Sequence, residues 1–183
     1  DKTGKNFMIR QPLTISAGEN LDLQSLLLRK TGVIFGNVSP QSFAVAATAP
    51  LNKNVDVYIP GSTIITKTDK NGDFVLLDVP EGKYDLAFSK AGYQTFMISD
   101  VIVKSGQASA TSEIGLKVDE NAKNYGMVTG QVLLNGQPIP NALLTIREVG
   151  AKAIGTAITV SDEEGFYELS NLLPGDYTFI IHR

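Results

Sequence analysis

The chain of 183 residues has no cysteine, no tryptophan and a single histidine. Without thiols there can be no disulfide, no thiolate nucleophile and no Cys-based metal site. His182 alternates onto the face opposite Tyr177 and Phe179. One imidazole with no thiol assembles no nucleophile–base pair, so the residues point away from an enzyme. Lacking Trp, a sugar-binding platform would fall to Tyr58, Tyr93 or Tyr125, although tyrosine in a folded domain is more often packed with its hydroxyl at the rim. No stretch approaches the roughly 18 apolar residues of a membrane-spanning helix. Basic clustering stops at Arg29-Lys30 and the net charge is −3, which argues against a surface that tracks nucleic-acid phosphates. The sequence opens on Asp1 with no charged-then-apolar leader and reads as a mature or excised piece.

What the chain does have is a repeat. Asp69-Lys70-Asn71-Gly72-Asp73-Phe74 returns as Asp162-Glu163-Glu164-Gly165-Phe166-Tyr167, an offset of 162 − 69 = 93. Residues 66–90 and 159–183 align without a gap, with Thr66, Asp69, Gly72, Leu76, Gly82 and Tyr84 identical to their counterparts. Upstream, Gly32-Val33-Ile34-Phe35-Gly36-Asn37-Val38 matches Gly126-Met127-Val128-Thr129-Gly130-Gln131-Val132 at an offset of 94. Residues 1–28 lie over 89–116 at an offset of 88, with Gly4/Gly92, Gly18/Gly106 and Leu28/Leu116 identical and Leu13/Val101, Ile15/Val103 and Leu26/Ile114 apolar in step. A chain with such self-similarity is an array of small modules.

Period-2 alternation dominates each repeat. Tyr84, Leu86 and Phe88 share one face, as do Val55, Val57 and Ile59, with Asp56 and Tyr58 opposite. Turn signals separate the runs at Asn71-Gly72, Glu81-Gly82, Ala91-Gly92, Ser105-Gly106, Asn135-Gly136 and Pro174-Gly175. Short strands at this spacing predict an all-β sandwich. One segment reads two ways. Ser16-Ala17-Gly18-Glu19 followed by Leu23, Leu26 and Leu27 fits a capping box opening a short helix, but its alignment with 104–118 favours a strand.

The pattern Gly-x-Val-x-Gly-x-Val, then Thr-x-Thr-Asp-x-x-Gly-x-Phe, then Pro-x-Gly-x-Tyr-x-Leu-x-Phe-x-x-x-Gly-Tyr resembles the carboxypeptidase regulatory-like domain. It is carried by Val33–Val38, Thr66–Phe74 and Pro80–Tyr93, and less fully by Met127–Tyr177. The resemblance implies tandem seven-stranded, transthyretin-like (Ig-like) Greek-key sandwiches, used mainly as non-catalytic appendages or in extracellular arrays. In that topology residues 31–118 supply a complete sandwich, 119–125 a linker, 126–183 the first five strands of a second, and 1–30 the last two strands of a module. Ser39–Asn54 is longer than the pattern requires and reads as a surface loop. Lys5 stands where the aromatic of Gly92-Tyr93 would be.

From this framing follow two function classes. The first is a non-enzymatic structural protein of an extracellular filament or cell-surface repeat array. There, residues 1–30 complete 126–183 of another copy, or of an adjacent module, by strand addition through Leu13, Ile15, Leu21, Leu23, Leu26 and Leu28. The second is a ligand- or carbohydrate-binding accessory module of a larger adhesin or secreted enzyme. No cofactor is otherwise implied. Asp69, Asn71 and Asp73 have the spacing of the first three calcium-loop ligands, but Gly72 comes too early for an EF-hand and no bidentate Glu closes a loop. The cluster Asp162-Glu163-Glu164 sits at a turn, where such residues need no proton-transfer role. Self-forming Lys–Asn cross-links need an early-strand lysine and a buried carboxylate. Phe35–Val38 and Thr129–Leu134 hold no lysine, and the sequence places no such carboxylate.

Overall fold

A computed structural model describes residues 18, 30–39, 53–149 and 157–182. Among them the chain is all-β, with one 3-10 turn at Ala122–Asn124 and no α-helix. The first set of strands is β1 (Thr31–Ser39), β2 (Asp56–Tyr58), β3 (Ile65–Lys67), β4 (Asp73–Pro80), β5 (Gly82–Ser89), β6 (Phe96–Val103), β7 (Ala108–Ala110) and β8 (Ile114–Gly115). The second set is β9 (Gly126–Gln131), β10 (Leu133–Leu134), β11 (Gln137–Pro138), β12 (Leu143–Glu148), β13 (Ala157–Val160), β14 (Phe166–Leu172) and β15 (Tyr177–His182).

In the first set one sheet runs β4-β1-β7, with β8 also on β1, and the other runs β3-β2-β5-β6. Their inner faces enclose Ile34, Val57, Phe74, Leu76, Leu86, Phe88, Val103 and Ile114. Alternation does the sorting: Val55, Val57 and Ile59 are buried while Tyr58 is half-buried, as period 2 on a half-covered sheet requires. The ring of Phe74 meets Phe88 edge to face at 5.6 Å across this core.

The second set lays down β14-β9 and β13-β12-β15, the same order as β4-β1 and β3-β2-β5. Its core is smaller, built on Ile146, Leu169 and Leu172 with Ala157 and Tyr177 against them. Among the described residues β15 pairs with β12 alone and β9 with β14 alone, whereas β5 pairs with both β2 and β6, and β1 with β4, β7 and β8.

The repeated turn has one construction in both places. Asp69 Oδ1 accepts the backbone N–H groups of Asn71 and Asp73, and Asp162 Oδ1 those of Glu164 and Phe166. Gly72 and Gly165 follow at φ 85 and 78, a region where a Cβ is strained. Just before each turn a hydroxyl pins the neighbouring segment: Thr68 Oγ1 accepts from Val55 N at 2.9 Å, and Ser161 Oγ from Ala142 N at 2.9 Å. The proposed donor residues Leu13, Ile15, Leu21, Leu23, Leu26 and Leu28, and most of Ser39–Asn54, lie outside the described residues.

Candidate functional site

The two sets meet through equivalent edge strands, β3 and β13. Asp56 on β2 and Thr159 on β13 are both buried. Thr159 Oγ1 donates to Asp56 Oδ1 at 2.9 Å, and Lys67 Nζ donates to the same oxygen at 2.8 Å and to Thr159 Oγ1 at 2.9 Å. Three polar groups thus close a triangle. Burial pushes the Asp56 carboxyl up to about 6, against the pull of the Lys67 ammonium and the Thr159 hydroxyl, with Glu168 adding a smaller upward push. Burial also raises the Tyr58 phenol.

Beside this triangle a cleft of about 640 Å³ opens between the sets. One wall carries Lys53, Asn54, Lys67 and Lys90. Lys90 Nζ donates to the Lys53 carbonyl at 2.6 Å, and burial lowers its pKa. The other wall is the outer face of β9 and β14. Thr129 stands opposite Glu168 and Gln131 opposite Phe166 in the register, so the four share one face of the pair. Tyr167 and Leu169 alternate onto the other face, Tyr167 meeting Phe179 at 5.6 Å and Leu169 buried, and Tyr167 and Gly130 also border the cleft. The Asp162 carboxylate at the rim is turned into its own turn.

Asp69, Asn71 and Asp73 share the β3–β4 turn, where Asp69 binds backbone N–H groups and Asp73 Oδ1 accepts from Asn37 Nδ2 at 2.8 Å. Among the described residues no group of three or more His, Cys, Asp or Glu is placed to hold a metal ion. His182 is exposed on β15. Tyr58 and Tyr93 are half-buried and Tyr125 is exposed; none of them lines this cleft. The buried carboxylate that the sequence does not locate is Asp56, and its lysine comes from β3 rather than from an early strand. Local sequence pattern could not foretell this, since the hydroxyl that meets Asp56 lies 103 positions away. No helix among the described residues is long and apolar enough to cross a membrane.

Residues 46–117 match the family model of the carboxypeptidase regulatory-like domain, whose fold is a transthyretin-like β-sandwich. The match begins after β1, which pairs with β4 and β7 in the first set. No curated protein sequence matches the chain. Among solved structures, a type II cohesin–X–dockerin complex from Acetivibrio cellulolyticus is similar at 27% identity and a TM-score of 0.41, over 59% of this chain and 64% of that one. The Bacillus anthracis TIE protein is similar at 15% identity and a TM-score of 0.33, over 82% of this chain and 31% of that one. The minor pilin of Streptococcus agalactiae is similar at 13% identity and a TM-score of 0.27, over 81% of this chain and 82% of that one. The chain therefore spans just under two thirds of the cohesin–X–dockerin chain that it matches.

Proposed function

We propose that this chain is a non-enzymatic structural component of an extracellular filament or cell-surface repeat array, its modules joined by β-strand complementation. In this reading 31–118 and 126–183 are the modules and 119–125 the link. Residues 1–30 are the donor that completes 126–183 of a neighbouring copy or module.

The observation that carries this reading is a difference between equivalent core positions. Leu86 and Phe88 are 0% exposed, while their counterparts Phe179 and Ile181 are 36% and 49% exposed. Ile34 is likewise 0% exposed, against 37% for Val128. In the first set β6 lies along β5 and β7 along β1. The corresponding edges of β15 and β9 carry no strand among the described residues. Open edges beside uncovered apolar residues invite pairing with another segment. Burying each large side chain contributes roughly 1.5–3 kcal/mol before entropy.

The donor assignment draws on the third repeat match. Gly18 occupies a turn at φ 83, as Gly106 does at φ 68 between β6 and β7. When the acceptor is another copy, the contact is heterologous and propagates as an open filament unless its rotation closes.

Light scattering and electron microscopy of residues 1–183 and 31–183 test the reading. Concentration-dependent assemblies are expected from the longer chain only, with a peptide of residues 1–30 competing for the acceptor. A longer chain that stays monomeric at every concentration, or a shorter one that assembles equally well, overturns it.

A further inference from the structure

We propose that the cleft between the two strand sets binds an acidic oligosaccharide, its sugar ring resting on Phe166 and its carboxylates facing Lys53 and Lys90. Strand completion uses the edges of β9 and β15, whereas this site uses a sheet face, so neither proposal depends on the other.

The repeat itself singles out Phe166. Its counterpart in the first set is Asp73, and the counterpart of Gln131 is Asn37. There the two side chains hydrogen-bond, Asn37 Nδ2 to Asp73 Oδ1 at 2.8 Å. In the second set that polar pair has become Gln131 opposite Phe166, and the ring is 53% exposed. Exposing an aromatic ring where a hydrogen-bonded aspartate serves equally well gains nothing for the sheet. A flat apolar face flanked by an amide and the Thr129 hydroxyl matches the C–H face and hydroxyls of a sugar.

The opposite wall supplies charge. Lys67 is already met by Asp56 at 2.8 Å. Lys90 is desolvated, its ammonium turned to a neutral carbonyl, so an anion delivered there gains a charge-assisted contact in a partly dry site. Among the described residues lining the cleft, Glu168 is the one carboxylate on the platform face, since Asp162 is held in its turn. A single carboxylate against converging ammonium groups suits a ligand whose negative charges are spaced along a chain. The concave shape and the aromatic platform favour a glycan over an acidic peptide.

Titration calorimetry on the intact chain tests the assignment with the tetrasaccharide of galacturonic acid and its fully methyl-esterified form. The acid is expected to bind, and the neutral ester to bind at least about tenfold more weakly, with binding of the acid falling as salt rises. Phe166→Ala and Lys53→Gln should each weaken binding about tenfold, a loss typical of an anchor contact. Lys70→Gln, on the β3–β4 turn and not among the residues lining the cleft, should leave it unchanged. The exposed positions of Phe166 and Lys53 make both variants compatible with folding, which circular dichroism verifies. Absent binding at millimolar concentration, equal affinity for acid and ester, indifference to Phe166→Ala, or equally tight binding of a tetraglutamate peptide would each overturn the assignment. Assembly is read separately by light scattering, so failure of one proposal is not failure of the other.

Discussion

The Thr159 hydroxyl donates to the Asp56 carboxylate at 2.9 Å, joining residues 103 positions apart across the boundary between the two strand sets. Both groups are buried, and Lys67 completes the triangle. Removing the donor leaves a buried acceptor less satisfied, which costs about 1–3 kcal/mol. Thr159→Val should therefore loosen the contact between the sets. Hydrogen exchange would report it as faster exchange in β3 and β13, with the core of the first set unchanged.

The same carboxylate makes this contact sensitive to pH. Its value of about 6 in the folded chain lies above the ordinary 3.8, so the folded arrangement holds the proton more tightly than the unfolded one. The stability contributed by protonation is fully present below about 3.8 and is lost as pH rises through about 6. Lys67 and Thr159 favour the ionised form, while burial and Glu168 favour the neutral one, and burial dominates. Between pH 7 and pH 5 the wild type should gain about 1 kcal/mol relative to Asp56→Asn. Urea unfolding of both proteins at several pH values measures the difference. A difference that is flat, or of opposite slope, would show that the ion pair and not burial governs Asp56.

The second glycine of the Gly-x-Val-x-Gly pattern has a steric reason. Gly36 stands opposite Phe74 across β1 and β4, and Gly130 opposite Tyr167 across β9 and β14. A Cβ on Gly36 would lie 2.9 Å from the Phe74 ring and against the Thr111 hydroxyl; on Gly130 it would lie 2.8 Å from the Tyr167 ring. The aromatic ring thus rests over bare backbone. Gly36→Ala should destabilise by about 1–3 kcal/mol, the usual range for overpacking. Gly130→Ala should cost less, because Tyr167 is only half-buried and has room to shift. Denaturant midpoints of the two variants provide the comparison.

A tyrosine closes a corner in each set. Tyr84 Oη donates to the Pro80 carbonyl at 2.9 Å, and Tyr177 Oη to the Leu173 carbonyl at 2.5 Å, each four residues upstream. Tyr84→Phe should cost about 1 kcal/mol. Tyr177→Phe should cost less, since its bond is exposed and water replaces the lost donor. Equal costs at the two sites would mean that the second corner is drier than its geometry indicates.

What could be read from the sequence was whatever period 2 and the repeat encode locally. The buried face of Val55, Val57 and Ile59 and the Asn71-Gly72 turn depend on neighbours within a few residues, and the equivalence of 66–90 with 159–183 needs only the comparison of the sequence with itself. Asp56 escaped because its partner β13 belongs to the other set, and no local pattern announces a contact between sets. Ala87, on the nominally outer face of β5, is buried where it stands between Tyr58 and Met97 of the two flanking strands. Phe166 reads as one more strand residue until the Gln131 register places it on an exposed face beside lysines from the first set. Of the three sugar-platform candidates Tyr58 and Tyr93 are half-buried and Tyr125 is exposed. The hydrophobic bodies of the first two gain more from packing than from solvent.

The uncovered face of the second set sets up the most discriminating experiment on assembly. Phe88 is 0% exposed and its ring packs against Phe74, whereas Ile181 at the equivalent position is 49% exposed. Phe88→Ala should destabilise the chain by about 3–5 kcal/mol, as for other buried aromatic truncations. Ile181→Asp should change the stability of the isolated chain by under about 1 kcal/mol, since a half-exposed position away from caps and networks tolerates substitution. If strands from a neighbour cover this face, however, the same aspartate becomes a buried, unpaired charge, and assembly should fail. Unfolding curves and light scattering on one preparation separate the two effects. An Ile181→Asp chain that assembles as the wild type does would place the joint elsewhere, and the uncovered face would need a different occupant.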